Sequence, residues 1–130
     1  MATIFSRILA GDIPCHKLAE NDQYLAFLDV RPIRAGHALV IPKIEVDYIF
    51  DLDDETLGGL LTFAKPVAHA IRSVVPCAKV GVAVVGLEVA HAHVHLVPID
   101  GVHDIDFRRA KPAEPEALAA MADKIRAASQ

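Results

Sequence analysis

The sequence predicts an α+β fold with five strands in antiparallel order, one long helix and short helices near both ends. Two observations predict it. Five short runs of apolar residues are separated by turn-forming residues, and one longer run has the 3.6-residue period of a helix. Strands that follow one another, with the helices set to one side, are typical of a layered α+β domain. The 130 residues suffice for one domain of this kind.

The first third of the chain predicts a helix, a hairpin and a third strand. Residues 3–11 form a short helix, because threonine can cap its start and glycine can end it. Residues 16–20 and 24–30 are the two strands of a hairpin, since the dipeptide Asn21-Asp22 supplies the turn between them. Residues 37–42 form the third strand, and its unbroken apolar centre indicates burial on both faces.

The remaining two thirds predict the long helix, two more strands and a closing helix. Apolar residues recur at helical spacing from about 53 to 73, and Pro66 inside this run predicts a bend near residues 62–66. Residues 80–85 and 90–99 are strands. Residues 100–112 are irregular, and the closing helix covers residues 115–127 with proline in its first turn.

Composition and charge exclude several classes of function. The net charge is −4 and the densest basic cluster is residues 108–111, which argues against a protein that binds duplex nucleic acid. No apolar run is long enough to span a membrane, and the first residues do not resemble a secretion signal. Cys15 and Cys77 lie far apart, so we expect reduced thiols. We therefore expect a cytoplasmic protein that does not bind membranes or nucleic acids.

Three histidines alternate with apolar residues in the predicted last strand. Because side chains alternate across a strand, His91, His93 and His95 should share one face. The alanine, valine and leucine between them should then pack into the core. The burial of apolar surface does not explain three imidazoles on one face of a strand. The three histidines therefore indicate a chemical function.

Three interpretations of this row remain open at this point. The imidazoles could bind a transition metal with a carboxylate such as Glu88 or Asp29, although a flat row does not by itself close a tetrahedron. One imidazole could be a nucleophile that its neighbours orient. The row could also be a set of solvated histidines on an exposed sheet face, but the apolar residues between them favour a central strand.

The histidine row and the motifs that precede it resemble the histidine triad (HIT) family, and its Hint branch most. The row reads His-Ala-His-Val-His-Leu-Val from residue 91. The other motifs, in family order, are Ile4-Phe5, Gly11-Asp12-Ile13-Pro14, Leu25-Ala26-Phe27-Leu28-Asp29-Val30 and Gly36-His37-Ala38-Leu39-Val40-Ile41-Pro42-Lys43. The resemblance implies a HIT domain over residues 3–100, a C-terminal extension over 101–130, and a homodimer.

The resemblance implies an enzyme that hydrolyses or transfers the nucleotide of nucleoside-phosphate-X compounds, such as purine nucleoside phosphoramidates. His93 takes the place of the nucleophile that forms a nucleotidyl-histidine intermediate. His95 takes the place of a residue that contacts phosphate, His91 supports the ring network, and His37 falls where the family often keeps a fourth histidine. A nucleotide-binding or scaffold module with weak or vestigial catalysis is the alternative.

The resemblance also implies a slot for a purine nucleotide such as AMP or GMP. Asp29 resembles the carboxylate that accepts the ribose hydroxyls, a task that suits its two oxygens. The other matching residues are apolar: Ile4, Phe5, Ile8, Phe27 and Val30.

The loop before the histidines departs from the family pattern. Residues 82–89 are shorter by about five residues than the resemblance predicts, and they lack the amides and hydroxyl that contact phosphate in other members. Glu88 takes the approximate place of that hydroxyl. Ser6 and Glu45 replace two landmarks of a zinc site that some members carry, so we expect no metal and no cofactor.

Overall fold

A computed structural model describes residues 2–129 of the chain. It contains a five-stranded antiparallel sheet in the order β1-β2-β3-β5-β4. The strands are β1 Lys17–Glu20, β2 Tyr24–Leu28, β3 Ala38–Pro42, β4 Lys79–Ala83 and β5 Val94–Ile99. The helices are α1 Ile4–Leu9, α2 Asp54–Val74 and α3 Pro115–Ala128, with single 3-10 turns at Ile49–Asp51 and Phe107–Arg109. The predicted fold class is confirmed.

The two faces of the sheet bury different partners. On one face, side chains such as Ala26, Val40 and Leu96 belong to the main core together with residues of α2 and α3. On the other face, Phe27 and Leu39 form a smaller cluster with Phe5 of α1 and two further residues. Alternation along β2 and β3 explains this division, because neighbouring residues of a strand point to opposite faces. The smaller cluster lies on the face that carries the histidines.

Local sequence signals define the helix ends. Thr3 caps α1 through a capping box, in which its hydroxyl accepts from the Ser6 amide at 3.1 Å and the Ser6 hydroxyl accepts from the Thr3 amide at 2.7 Å. Asp53 caps α2 by accepting from the Thr56 amide at 2.7 Å. Helix α2 continues across Pro66 as one assigned helix from Asp54 to Val74. The predicted bend at this proline stays a prediction.

Helix α3 and the segment before it pack on the same core as the sheet. Leu118, Ala122 and Ile125 are buried in the main cluster beside α2. The backbone before α3 is tied to the loop after β2, because the amide of Ala113 donates to the carbonyl of Val30 at 3.1 Å. The HIT-domain boundary at residue 100 stays a prediction, but residues 101–128 share the core of the residues that precede them.

The predicted strand over residues 90–99 is wrong at its start. Strand β5 begins at Val94, so His91 and His93 precede it in an extended segment. The reason is that this segment bonds to a loop rather than to a strand: the amide of Ala92 donates to the carbonyl of Val46 at 2.7 Å. The predicted facing is nevertheless confirmed, because Ala92 lies in the main core while the histidines lie on the opposite side. The strand at residues 24–30 is likewise shorter and ends at Leu28.

Gly36 sets the corner at which the chain enters β3. Its φ is +98°, a conformation that side chains other than glycine rarely adopt. A Cβ atom at this position would also lie 2.9 Å from Cγ2 of Val75. The glycine therefore allows the backbone to turn close to the end of α2 and to place His37 directly before β3.

Among residues 2–129, none of the helices combines the length and the apolar character that a membrane span requires.

Candidate active site

A cavity of about 480 Å³ opens beside the smaller core cluster and reaches two of the three alternating histidines, His93 and His95. Its closed wall is formed by buried side chains, Phe5 of α1, Phe27 of β2 and Leu39 of β3. Its open wall is the segment 85–89, in which Leu87 is 88% exposed. The other lining residues are Ile4, Ile8, Ile13, Pro14, Cys15, Leu28, Asp29, Val30, Arg31 and Phe107.

His93 presents one ring nitrogen to this cavity. Its Nδ1 lies 2.7 Å from the carbonyl oxygen of His91, and because a carbonyl oxygen only accepts, Nδ1 carries the proton. Nε2 of the neutral ring is then left with a free lone pair. The ring is 5% exposed and meets Phe5 edge-on at a centroid distance of 5.0 Å. Burial is the main cause of a lowered His93 pKa, so the ring is neutral near pH 7.

His37 and His95 form a second hydrogen-bonded pair. The amide of Ile33 donates to Nδ1 of His37 at 3.0 Å, so in the neutral ring the proton lies on Nε2. That nitrogen lies 3.0 Å from Nδ1 of His95, to which it donates. In neutral His95 the proton must therefore lie on Nε2. The ring of His95 lines the cavity. Its Nε2–H group is therefore available to donate a hydrogen bond to a ligand.

Both rings of this pair are poorly suited to carry a positive charge. Burial is the main cause of the lowered pKa of His37. The pKa of His95 falls to about 3, first because the ring is buried and then because His93 and His37 lie beside it. His95 therefore donates a hydrogen bond as a neutral imidazole near pH 7. The interpretation of the row as solvated surface histidines is wrong, since His91, His93 and His95 are all at most 9% exposed.

Asp29, His37 and His95 bring three potential metal-binding atoms within 4.8 Å of one another. The hydrogen bonds of His37 argue against a resident ion. Its Nδ1 already accepts a hydrogen bond from the Ile33 amide, so a metal at Nε2 would require the imidazolate form of the ring, without a proton on either nitrogen. A neutral hydrogen-bonded pair fits the contacts without that requirement.

His91 supports the site from outside the cavity. Its side chain is fully buried, and its Nε2 donates to the carbonyl oxygen of Pro42 at 2.7 Å. This bond ties the histidine segment to the end of β3. Its Nδ1 has no hydrogen-bond partner among residues 2–129. His91 contributes to the site mainly through its backbone carbonyl, which holds His93.

The residues predicted for nucleotide binding are brought together by the fold. Ile4, Phe5, Ile8, Phe27, Asp29 and Val30 all line the cavity. Of the four histidines predicted as catalytic, His93 and His95 line it, while His37 and His91 lie behind them. One oxygen of Asp29 accepts from the amide of Arg31 at 2.9 Å, and the other lies 3.6 Å from Nε2 of His37.

Sequence reasoning did not identify several lining residues, among them Phe107 and Arg31. Phe107 comes from the stretch predicted as irregular, yet its ring meets that of His95 at a centroid distance of 4.8 Å and that of His37 at 6.5 Å. Arg31 lies two residues after Asp29, the predicted ribose-binding residue, and its guanidinium donates to the carbonyl of Ala110 at 3.4 Å. No sequence signal identifies either one, because their positions depend on the return path of the C-terminal segment.

The fold and the site define the class of protein: an α+β sheet protein with a buried histidine beside a small-molecule cavity. A family model described as "HIT domain" matches residues 10–102. The chain belongs to the HIT family, and the resemblance stated from its motifs is confirmed, with Hint-like relatives among the matches.

Two curated relatives are named as adenosine 5'-monophosphoramidases. The chain is 49% identical to hnt1 of Schizosaccharomyces pombe over 71 residues, which are 55% of this chain and 53% of the relative. It is 37% identical to HNT1 of Saccharomyces cerevisiae over 98 residues, 75% of this chain and 62% of the relative. The chain thus matches between half and two thirds of the length of these relatives.

Solved structures agree over nearly the whole chain. A HIT-like protein of Bartonella henselae superposes with a TM-score of 0.86 at 29% identity and covers 97% of this chain and 95% of its own. A zinc-bound histidine triad family protein of Mycobacterium smegmatis superposes with a TM-score of 0.84 at 28% identity, covering 99% and 94%. The agreement over more than nine tenths of the chain includes the C-terminal segment that carries Phe107.

Proposed function

We propose that the protein hydrolyses, or transfers the nucleotide of, purine nucleoside phosphoramidates or related nucleoside-phosphate-X anhydrides through a covalent intermediate on His93. The observation that carries the proposal is the free Nε2 of this ring, which faces a cavity while Nδ1 is held by a backbone carbonyl. The adenosine 5'-monophosphoramidase names of the two yeast relatives support the same reaction class.

A purine nucleotide such as AMP or GMP fits the division of the cavity into apolar and polar parts. The base would lie among Ile4, Phe5, Ile8, Phe27 and Val30, which offer apolar surface. Asp29 would accept hydrogen bonds from the ribose hydroxyls, because each carboxylate oxygen can accept more than one. The volume of about 480 Å³ is in the range of small-molecule sites.

The first step is a displacement at phosphorus. The lone pair of His93 Nε2 forms a bond to the phosphorus atom, and the bond from phosphorus to the leaving group breaks. The leaving group departs with that electron pair and takes up one proton from solvent, so that a phosphoramidate releases an amine. A neutral imidazole suits this step because it needs no base to remove a proton first.

The second step restores the histidine. Water attacks the phosphorus atom, the bond from phosphorus to Nε2 breaks, and its electron pair returns to the ring. The proton that water loses balances the proton that the leaving group took up. Throughout both steps, the backbone carbonyl of His91 holds the Nδ1 proton and so keeps the ring oriented.

His95 would act on the phosphoryl oxygens rather than on the leaving group, and His37 would act through His95. The N–H group of His95 can donate to an oxygen whose negative charge grows in the transition state. His37 acts through His95, since its own Nε2 donates to His95 Nδ1 and fixes the tautomer. His37 is therefore proposed as a positioning residue.

A homodimer and a cytoplasmic location complete the proposal. Strand β4 lies at the edge of the sheet, and the neighbouring side chains Val82, Val84 and Val85 are exposed. An unpaired strand with exposed apolar residues can extend the sheet by pairing with a second copy. Sedimentation of the purified protein tests the dimer, and a Val82→Lys variant should shift it toward the monomer.

The central experiment measures AMP release from adenosine 5'-phosphoramidate. Turnover by the wild type and its loss in His93→Ala would support the proposal, with His69→Ala as the control because His69 is exposed on α2. Mass spectrometry of rapidly quenched protein should detect one nucleoside monophosphate group on the peptide that contains His93. Tight binding of AMP without turnover would instead support the nucleotide-binding module.

A further inference from the structure

The open wall of the cavity carries a carboxylate that the proposed mechanism does not use. Glu88 lines the cavity and its side chain is exposed. Within residues 2–129 it makes no hydrogen bond and no ion pair with another side chain. A charge on a cavity wall without a partner in the protein is available to a ligand.

The carboxylate of Glu88 lies close enough to the proposed nucleophile, His93, to interact with it electrostatically. Its charge is one of the causes that raise the pKa of His93 against the larger effect of burial, so the carboxylate lies within electrostatic reach of that ring. Asp29, the other carboxylate that lines the cavity, is already engaged by the Arg31 amide and lies beside His37. Because Asp29 is engaged in this way, Glu88 is the carboxylate available to interact with the leaving group of the substrate.

A free carboxylate near a phosphoryl group weakens binding unless a positive charge lies close to both. The cation that lines the cavity, Arg31, directs its guanidinium to the carbonyl of Ala110. A substrate whose leaving group carries an ammonium group supplies the missing charge itself. An anionic leaving group would add a second repulsion, and a neutral one would leave the first in place.

We propose that Glu88 makes the cavity selective for substrates whose leaving group carries a positive charge, such as nucleoside phosphoramidates of diamines. This inference rests on the proposed function, and it adds the substrate class. Glu88 is a specificity-determining residue in this account. It forms no covalent bond and moves no proton.

The test compares three adenosine 5'-phosphoramidates of similar length, made from ethylenediamine, propylamine and β-alanine. Their distal groups are cationic, neutral and anionic. Exposed charge pairs are worth about 1.5- to 5-fold each, so kcat/KM for the cationic substrate should exceed that for the anionic one by about 2- to 25-fold. All assays contain a chelator, so that a divalent cation cannot replace the charge of the substrate.

Glu88→Gln should remove the part of this preference that depends on charge, and Glu88→Lys should reverse it. The basicity of the three amines differs, but it affects every variant equally and cancels when ratios are compared between variants. Glu116→Gln is the matched control, because Glu116 is exposed on α3 and does not line the cavity. The preference should also shrink at high salt, since exposed charges are screened.

The outcomes separate the two proposals. Turnover of all three substrates with ratios that are the same in the wild type, Glu88→Gln and Glu88→Lys would overturn the role of Glu88 and leave the proposed function intact. No turnover of any substrate by the folded wild type would overturn the proposed function and this inference with it. A charge-dependent change of the ratios in both variants, but not in Glu116→Gln, would support it.

Discussion

The two walls of the cavity differ in burial and in hydrogen bonding. The closed wall is built from Phe5, Phe27 and Leu39, each at most 5% exposed, and the histidines beside it are held by a series of hydrogen bonds. The open wall, residues 85–89, includes Leu87 at 88% exposure. The difference indicates a division of tasks: the closed wall fixes the reacting groups, and the open wall faces the variable part of the substrate.

This comparison gives an order for the effects of substitution. A residue of the closed wall, or one that it holds, supports both the stability of the fold and the orientation of the site. An exposed residue of the open wall such as Leu87 is largely surrounded by solvent, so its replacement should change substrate choice and have little effect on stability.

The largest effect is expected at the nucleophile. His93→Ala should lower kcat for adenosine 5'-phosphoramidate by about 10⁴-fold or more, because the covalent route is lost. Steady-state assays check this prediction, and isothermal titration with AMP checks that the cavity is intact. A residual rate within tenfold of the wild type would show that His93 is not the nucleophile.

The second effect concerns stability and compares the two walls directly. Phe27→Ala should lower the free energy of unfolding by about 3–5 kcal/mol, because it leaves a cavity between α1 and the sheet. Leu87→Ala on the open wall should change it by less than about 0.5 kcal/mol. Urea denaturation followed by circular dichroism measures both. Similar losses in the two variants would contradict the division between the walls.

The third effect tests His37 as a positioning residue. His37→Asn should lower kcat about 10- to 100-fold, because its shorter side chain no longer donates to His95 Nδ1 and the tautomer of His95 is released. His37→Gln places an amide N–H near the position of Nε2, so it should recover part of the loss. Equal losses in the two variants, at equal stability, would argue against the tautomer role.

Counted per pH unit, the smallest effect is a dependence of stability on pH that arises at the histidines beside the closed wall. The pKa of His95 is about 3 in the folded state and near 6.5 when the chain is unfolded, so the unfolded chain binds more protons between these values. Stability is therefore fully present above about pH 6.5 and falls as the pH drops. His95 alone gives a slope of about 1.4 kcal/mol per pH unit well inside this window.

Urea midpoints at pH 7, 6 and 5 measure this slope. The lowered pKa values of His37 and His93 add to it in the same direction. His95→Phe should flatten the dependence, whereas His69→Gln should leave it unchanged because His69 is exposed. A stability that rises on acidification would show that these rings are charged in the folded protein.

Local signals in the sequence predicted much of the fold, because the devices that start and end the helices are local. The Thr3 cap and the proline at the start of α3 act on residues a few positions away. The start of β5 was missed because the partner of Ala92 is Val46, in a loop that no local pattern connects to it.

The sequence predicted the positions of many site residues, but it did not predict the hydrogen bonds among the histidines. The facing of the histidines follows from alternation, and the lining residues near Asp29 follow from the family motifs. The bond from His37 to His95 joins residues 58 positions apart, so only the folded chain shows which nitrogen carries each proton. Phe107 was out of reach because a 3-10 turn in an irregular stretch brings it to the site.

The C-terminal segment limits how the protein can be truncated or tagged. A fragment that stops where the family model ends, at residue 102, would lose Phe107 from the side of His95. It would also leave apolar surface of α2 uncovered where Leu118 and Ile125 pack. We expect such a fragment to aggregate, so an affinity tag or a fusion partner belongs after α3 rather than after the last strand.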